Sequence, residues 1–145
     1  IKSAYLDLKA AKDAVDNSTG LPANDDRADL DRTQMTAEAG NPELGEGADN
    51  LLDNNPNSIY HTNWSGASGK PIATMDDFWI EITLNNPETV NGLRYLPRQG
   101  TSQGNENGRI IDYRVAVSTT GTANEGAWKE FVSGTWADNA AWTIA

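Results

Sequence analysis

Asp77-Phe-Trp-Ile-Glu-Ile-Thr-Leu84 is the stretch on which the reading of the fold turns. Phe78, Ile80, Ile82 and Leu84 face one way along an extended chain, and Trp79, Glu81 and Thr83 face the other. Side chains alternate across a strand with a period of two, so this pattern predicts a strand with one covered face. Asn85-Asn86-Pro87 ends it. Val90 to Arg98 reads as a second strand, entered through Asn91-Gly92. Ile111, Tyr113, Val115 and Val117 form a third alternating set against Asp112, Arg114, Ala116 and Ser118. Thr119 to Gly126 is a turn, Trp128 to Trp136 a fourth strand, and Ala141 to Ala145 begins a fifth. Strands in succession without helices between them predict an all-β fold, an antiparallel sandwich or barrel. The expected core takes in Phe78, Ile80, Ile82, Leu84, Leu93, Tyr95, Tyr113, Val115 and Val117, with Trp128, Trp136 and Trp142 as structural aromatics.

Upstream the texture differs. Ile1, Tyr5, Leu8, Ala11 and Val15 recur at helical spacing over residues 1–17, and Asn17, Gly20 and Pro22 supply stop signals. Residues 18–30 read as a polar linker. The expected organisation is therefore a helix and linker over 1–30, the end of a preceding region, and a β domain over 31–145. The chain opens at Ile1 with neither an initiator Met nor a signal-peptide pattern, as a piece of a longer protein would. Between Glu38 and Met75 there is little periodicity, and a loop of that length inside a compact domain is usually functional.

Composition narrows the partners. The 145 residues carry a formal net charge of −10, with 11 scattered basic residues. Nucleic acid is excluded as a partner, because phosphate contacts need clustered Lys and Arg. An anionic membrane surface would repel such a chain, and no apolar stretch reaches the roughly 20 residues of a membrane span. There are no cysteines, hence no disulfide framework and no thiolate metal site. Acidic charge together with much Asn, Gly and Thr suits a secreted or cell-surface bacterial domain.

The chemistry-bearing residues gather in three polar, turn-rich stretches: Tyr60-His-Thr-Asn-Trp64, Leu96-Pro-Arg-Gln99 and Asn107-Gly-Arg109. His61 is the only histidine. Arginine and asparagine hydrogen-bond hydroxyls, histidine donates or accepts at one edge, and an aromatic face covers the C–H face of a sugar ring. A neutral polyol is the ligand such a set can hold. Arg98 could equally pair with a surface carboxylate, and Asn107-Gly108 is first of all a turn signal. One histidine cannot build a zinc triad, no Ser-His-Asp order exists, and nothing singles out a pair of glycosidase carboxylates. The expectation is a non-catalytic module.

In order and with fitting gaps, five motifs run through the chain: Asn50-Leu-Leu-Asp-Asn-Asn-Pro-Asn-Ser-Ile-Tyr-His-Thr-Asn-Trp64, Phe78-Trp-Ile-Glu-Ile82, Asn91-Gly-Leu-Arg-Tyr-Leu-Pro-Arg98, Asn107-Gly-Arg-Ile110 and Tyr113-Arg-Val-Ala-Val-Ser118. Over roughly residues 31–145 the chain resembles the coagulation factor 5/8 type C (discoidin-like) domain, and within that group the family 32 carbohydrate-binding modules. The resemblance implies a β-sandwich jelly roll that binds terminal galactose or N-acetylgalactosamine. It also implies a secreted bacterial glycoside hydrolase as the parent and a monomeric module within it. It carries ligand contact to His61, Arg98, Asn107 and Trp64, and to an acidic residue that is either Glu43 or Glu46. It places the family's calcium loop at Asp53-Asn-Asn-Pro-Asn-Ser58, with Asp53, Asn55 and Ser58 as ligands. There Asn55 and Ser58 stand where the family usually has Asp and Thr. It further implies a last-loop aromatic and at least one more strand beyond Ala145. The alternative within the same resemblance is an adhesion module that docks a protein or cell surface and binds no sugar.

Overall fold

The computed structural model describes residues 29–67, 69–99, 106–120 and 127–145. The helix expected over 1–17, most of the 18–30 linker and most of the Thr119–Gly126 turn lie outside these. All strands in the described residues are antiparallel pairs: β1 (Met35–Ala39) with β2 (Ile80–Leu84), β3 (Arg94–Tyr95) with β6 (Thr143–Ile144), and β4 (Asp112–Val117) with β5 (Lys129–Thr135). They fall in two compact units, one holding Asp29–Asn86 and the other Pro87–Ala145.

In the first unit, β1 was not legible from the pattern. Met35-Thr-Ala-Glu-Ala39 is poor in the branched and aromatic residues that favour strands. Pairing supplies what propensity lacks, since Met35, Ala37 and Ala39 lie opposite Leu84, Ile82 and Ile80. The same pairing corrects the expected core. Ile82 is 39 % exposed, because its cross-strand partner Ala37 is too small to cover it. Phe78 is 57 % exposed because it lies outside the strand. Asp77 N–H bonds the Thr74 carbonyl and Phe78 N–H that of Met75, a 3₁₀ turn over Met75–Asp77. The Asp77 carboxylate ties that turn down by accepting from both the amide and the hydroxyl of Thr74. The strand therefore starts at Ile80, three residues later than alternation alone suggests.

The second unit is organised around Trp136, which is buried. Tyr113 stacks on it with ring centroids 3.9 Å apart, and Tyr95 stacks at 5.2 Å. The indole N–H is satisfied by the Ile144 carbonyl at 3.2 Å, as a buried Trp requires. Register makes room for the stack. Tyr113 lies opposite Gly134, where a Cβ would stand 2.8 Å from the tyrosine hydroxyl. Between Val115 and Ala116 the register slips, leaving Phe131 as the extra residue of a β-bulge on β5. Leu93 and Ala145 exchange both backbone hydrogen bonds beside the Arg94–Ile144 pair, extending the β3–β6 ladder by one pair at that end. Trp142 packs its ring against the Arg94 guanidinium, 4.7 Å from the ring centroid.

Candidate functional site

The Asp29–Asn86 unit carries His61, Trp64, Glu43, Glu46 and the Asp53 loop; the other unit carries Arg98 and Asn107.

Around His61 two loop segments run antiparallel. Asn63 N–H bonds the Asn41 carbonyl at 2.7 Å, Glu43 N–H that of His61 at 2.8 Å, and His61 N–H that of Glu46 at 3.2 Å. Pro42 and Thr62 face each other between them. Asn63, completely buried, staples this ladder to the next loop. Its side-chain carbonyl accepts from Gly66 N–H at 2.8 Å, and its amide donates to the Pro71 and Lys70 carbonyls at 3.1 and 3.3 Å. A sequence reading that looked for ligand contacts passed over Asn63, although a buried Asn at the centre of a loop must be fully paired.

His61 presents a defined edge. Its Nδ1 lies 2.7 Å from the Thr62 carbonyl. A carbonyl can only accept, so Nδ1 carries the proton, and in the neutral ring Nε2 is left as an acceptor. Trp64 stands edge-on to the imidazole at 6.5 Å between centroids and is 62 % exposed. A ring nitrogen with no hydrogen-bond partner among the described residues therefore sits beside an open indole.

Glu43 and Glu46, alike in the sequence, differ here. Glu43 is buried. Its Oε1 accepts from the Ser65 hydroxyl at 2.7 Å and Leu44 N–H at 3.2 Å, and its Oε2 from the Trp64 and Ser65 amides at 3.0 Å each. A carboxylate has about four lone-pair sites, so no acceptor capacity remains for a ligand. The Ser65 hydrogen bonds, hydroxyl first and amide second, outweigh burial and hold this carboxyl below the usual glutamate range; the Leu44 and Trp64 amides add to that. Glu46 is the opposite case: its Oε2 is buried without a hydrogen-bond partner. Such an atom is costly unless a ligand or water meets it. Tyr60 next to His61 also has an unpartnered buried hydroxyl, and burial, then the charge of Asp77, pushes its pKa up.

The loop at Asp53 is wound on its own polar atoms. Asp53 accepts from Asn55 N–H at 2.8 Å and from the Ser58 hydroxyl at 2.6 Å, and that hydroxyl lies 2.8 Å from the Asn55 carbonyl. Asn54 takes a positive φ of 59°, a conformation asparagine tolerates better than most residues. The Ser58 hydrogen bond, then the Asn55 amide and the nearby Arg32, keep the Asp53 carboxyl low and ionised. Asp53, Asn55 and Ser58 are thus tied together by hydrogen bonds, with one formal charge among them. Calcium takes six to eight oxygens, and no group of three or more His, Cys, Asp or Glu side chains is placed to hold a metal among the described residues.

In the second unit Arg98 is half-buried and its guanidinium makes no hydrogen bond or ion pair among the described residues. Its backbone is held instead. Arg109 directs Nε and Nη2 to the Arg98 carbonyl, both at 3.4 Å, and Nη1 to Asp138 at 3.3 Å. Gln99 donates to the Pro97 and Ala140 carbonyls at 2.6 and 2.9 Å. The turn that bears Asn107 is closed by Arg109 N–H to the Glu106 carbonyl, with Gly108 at a positive φ of 82°. Asn107 is exposed, and its side chain makes no hydrogen bond among the described residues. Arg109 was visible in the sequence only as part of a motif; its part-buried guanidinium supports the Arg98 main chain.

The F5/8 type C domain pattern matches residues 34–144. The chain belongs to that family, whose members are non-catalytic binding modules. Among curated relatives, a sialidase of Micromonospora viridifaciens is 30 % identical over 99 residues, 68 % of this chain and 13 % of the relative. A galactose oxidase of Gibberella zeae is 31 % identical over 107 residues, 74 % of this chain and 14 % of the relative. The chain thus spans about one seventh of the length of these relatives. Two solved Clostridium perfringens modules share the fold at 24 % identity. The family 32 module of NanJ, in complex with galactose, superposes with a TM-score of 0.60 over 80 % of this chain and 74 % of its own. A second family 32 module, in complex with GalNAc-β-1,3-galactose, does so with 0.67 over 81 % and 78 %. The likeness fixes the fold as the antiparallel β-sandwich.

Proposed function

We propose that this chain is a carbohydrate-binding module for terminal galactose or N-acetylgalactosamine, carried by a secreted bacterial glycoside hydrolase as a monomeric targeting domain. The observation that carries the reading is the His61 edge: Nδ1 is committed to the Thr62 carbonyl, Nε2 is open, and the exposed Trp64 ring stands beside it. The sugar-bound state of the two Clostridium perfringens modules supports it. In the Asp29–Asn86 unit His61 accepts from a sugar hydroxyl, Trp64 covers the C–H face, and Glu46 meets a hydroxyl with its unpartnered oxygen. In the other unit Arg98, whose guanidinium suits vicinal hydroxyls, and Asn107 are the ligand candidates. Glu43 supports the loop rather than the ligand. Asp53, Asn55 and Ser58 would hold a calcium ion, which when bound would cross-link the loop by charge.

Titration calorimetry against galactose, N-acetylgalactosamine, lactose and glucose tests the reading. An open, wet site gives dissociation constants from micromolar to millimolar, about −8 to −4 kcal/mol. The galactose-configured sugars should bind and glucose should not, and Arg98→Ala and His61→Ala should each abolish measurable binding while circular dichroism stays unchanged. Equal binding by both variants and the parent would sink the assignment.

A further inference from the structure

We infer that Glu43 is a positioning residue for the ligand face: its side chain fixes the direction in which Trp64 leaves the loop. The inference rests on the sugar-binding reading for its consequence, but not for its geometry.

The Glu43 carboxylate lies 21 and 22 residues from Trp64 and Ser65 in sequence, yet accepts both their amides at 3.0 Å. Two consecutive amides aimed at one oxygen fix the peptide plane between them, and with it the direction of the Trp64 Cα–Cβ bond. The Ser65 hydroxyl takes the second oxygen at 2.7 Å and locks the carboxylate's own rotation. Leu44 N–H, at 3.2 Å, closes the set from the opposite segment. The Trp64 ring itself makes one aromatic contact among the described residues, the edge-on approach to His61 at 6.5 Å, and is otherwise exposed. An indole so little packed is not held by its neighbours. Its direction comes from its backbone, and its backbone is held by Glu43. The main chain of Glu43 reinforces the arrangement by bonding the His61 carbonyl at 2.8 Å. One buried residue therefore sets both partners of the His61–Trp64 pair, the first through its amide and the second through its carboxylate.

The substitutions follow from donor and acceptor counts. Glu43→Gln keeps the shape but puts an amide NH₂ in place of an acceptor, so at least one of the Trp64 and Ser65 N–H groups loses its partner. Ser65→Ala removes a hydroxyl that donates to Glu43 and accepts from Ala67 N–H, and leaves both amides bonded to the carboxylate, so it is the milder change of the two.

The 145-residue chain labelled with 5-fluorotryptophan gives the direct test. The Trp64 resonance is assigned by its loss in Trp64→Phe. Glu43→Gln and Ser65→Ala should each shift or broaden that resonance and leave those of the other tryptophans in place. Calorimetry with galactose gives the second arm: Glu43→Gln should weaken binding about tenfold or more, equivalent to roughly 1.4 kcal/mol. In a Trp64→Ala background the same change should cost little more, because residues acting through one another are non-additive. A Trp64 resonance unmoved by both substitutions overturns the inference, and so does strict additivity in the cycle. A parent chain that binds no galactose defeats the functional reading instead, and the resonance still decides the role of Glu43.

Discussion

The two regions that carry the candidate ligand contacts are built on different principles. The His61–Trp64 segment is held by short backbone bonds, by the buried Asn63 and by a saturated carboxylate at 2.7–3.2 Å. The Arg98 segment is held by side chains reaching to carbonyls, with the Arg109 fork at 3.3–3.4 Å and its partner Asp138 half exposed. The first region is preorganised, so its functional atoms stand where the backbone puts them. The second anchors its main chain, while the long Arg98 guanidinium makes no hydrogen bond or ion pair among the described residues. A stiff histidine–aromatic corner is preorganised, and preorganisation lowers the ordering cost of binding.

Breaking the stiff side should cost most. Asn63→Ala strips the partner from Gly66 N–H at a fully buried position and takes one donor each from the Lys70 and Pro71 carbonyls, of which the second still accepts from Asn41 Nδ2 at 2.9 Å. About 3 kcal/mol of stability should be lost, as buried groups left unpaired cost roughly 1–3 kcal/mol each. Urea denaturation measures this, and a loss below that of an exposed Asn would mean the ladder is not held there. Next, the acid limb of stability should report Glu43. Its folded pKa lies below the unfolded one. The contribution is therefore complete above the ordinary glutamate range and is lost as pH falls through the lower, folded value. Melting temperatures of parent and Glu43→Gln should differ at neutral pH and converge under strong acid, with Asp53 adding a slope common to both.

The looser side should respond less. Arg109→Ala removes three long hydrogen bonds from a guanidinium 11 % exposed. Its effect should be about 1–2 kcal/mol, set mainly by the bonds to the Arg98 carbonyl, because the bridge to an exposed Asp138 is worth little. Sugar affinity should fall with it while the Asn63-centred ladder, read by amide hydrogen exchange, stays protected. Smallest should be calcium removal at low occupancy: a site filled to 100 times its dissociation constant adds about 2.7 kcal/mol, and one barely filled adds almost nothing. Melting with EDTA and then with added calcium measures which regime holds, and an unchanged melting temperature in both argues against a bound ion.

Much of the fold was legible because the sequences of β2 and β4 alternate, and Trp136, read as a structural aromatic at the end of the fourth strand, is buried. β1 was not legible: its alanines and glutamate become a strand only because β2 offers them a ladder. Nor was the exposure of Phe78, since a Thr74–Asp77 turn removes it from the strand that sequence alternation assigns it to.

The site divides in the same way. Motif spacing by itself fixed which residue types stand at 61, 64, 98 and 107, and the family they imply, because order along the chain is what a motif records. The difference between Glu43 and Glu46 belongs to the tertiary structure alone. Both are glutamates on one short loop, and what separates them is whether Trp64 and Ser65, some twenty residues away, return to fill the lone pairs of one and leave an oxygen of the other unpaired. Hydrogen-bond saturation is a property of neighbours in space, and neighbours in space are fixed only when the loops close.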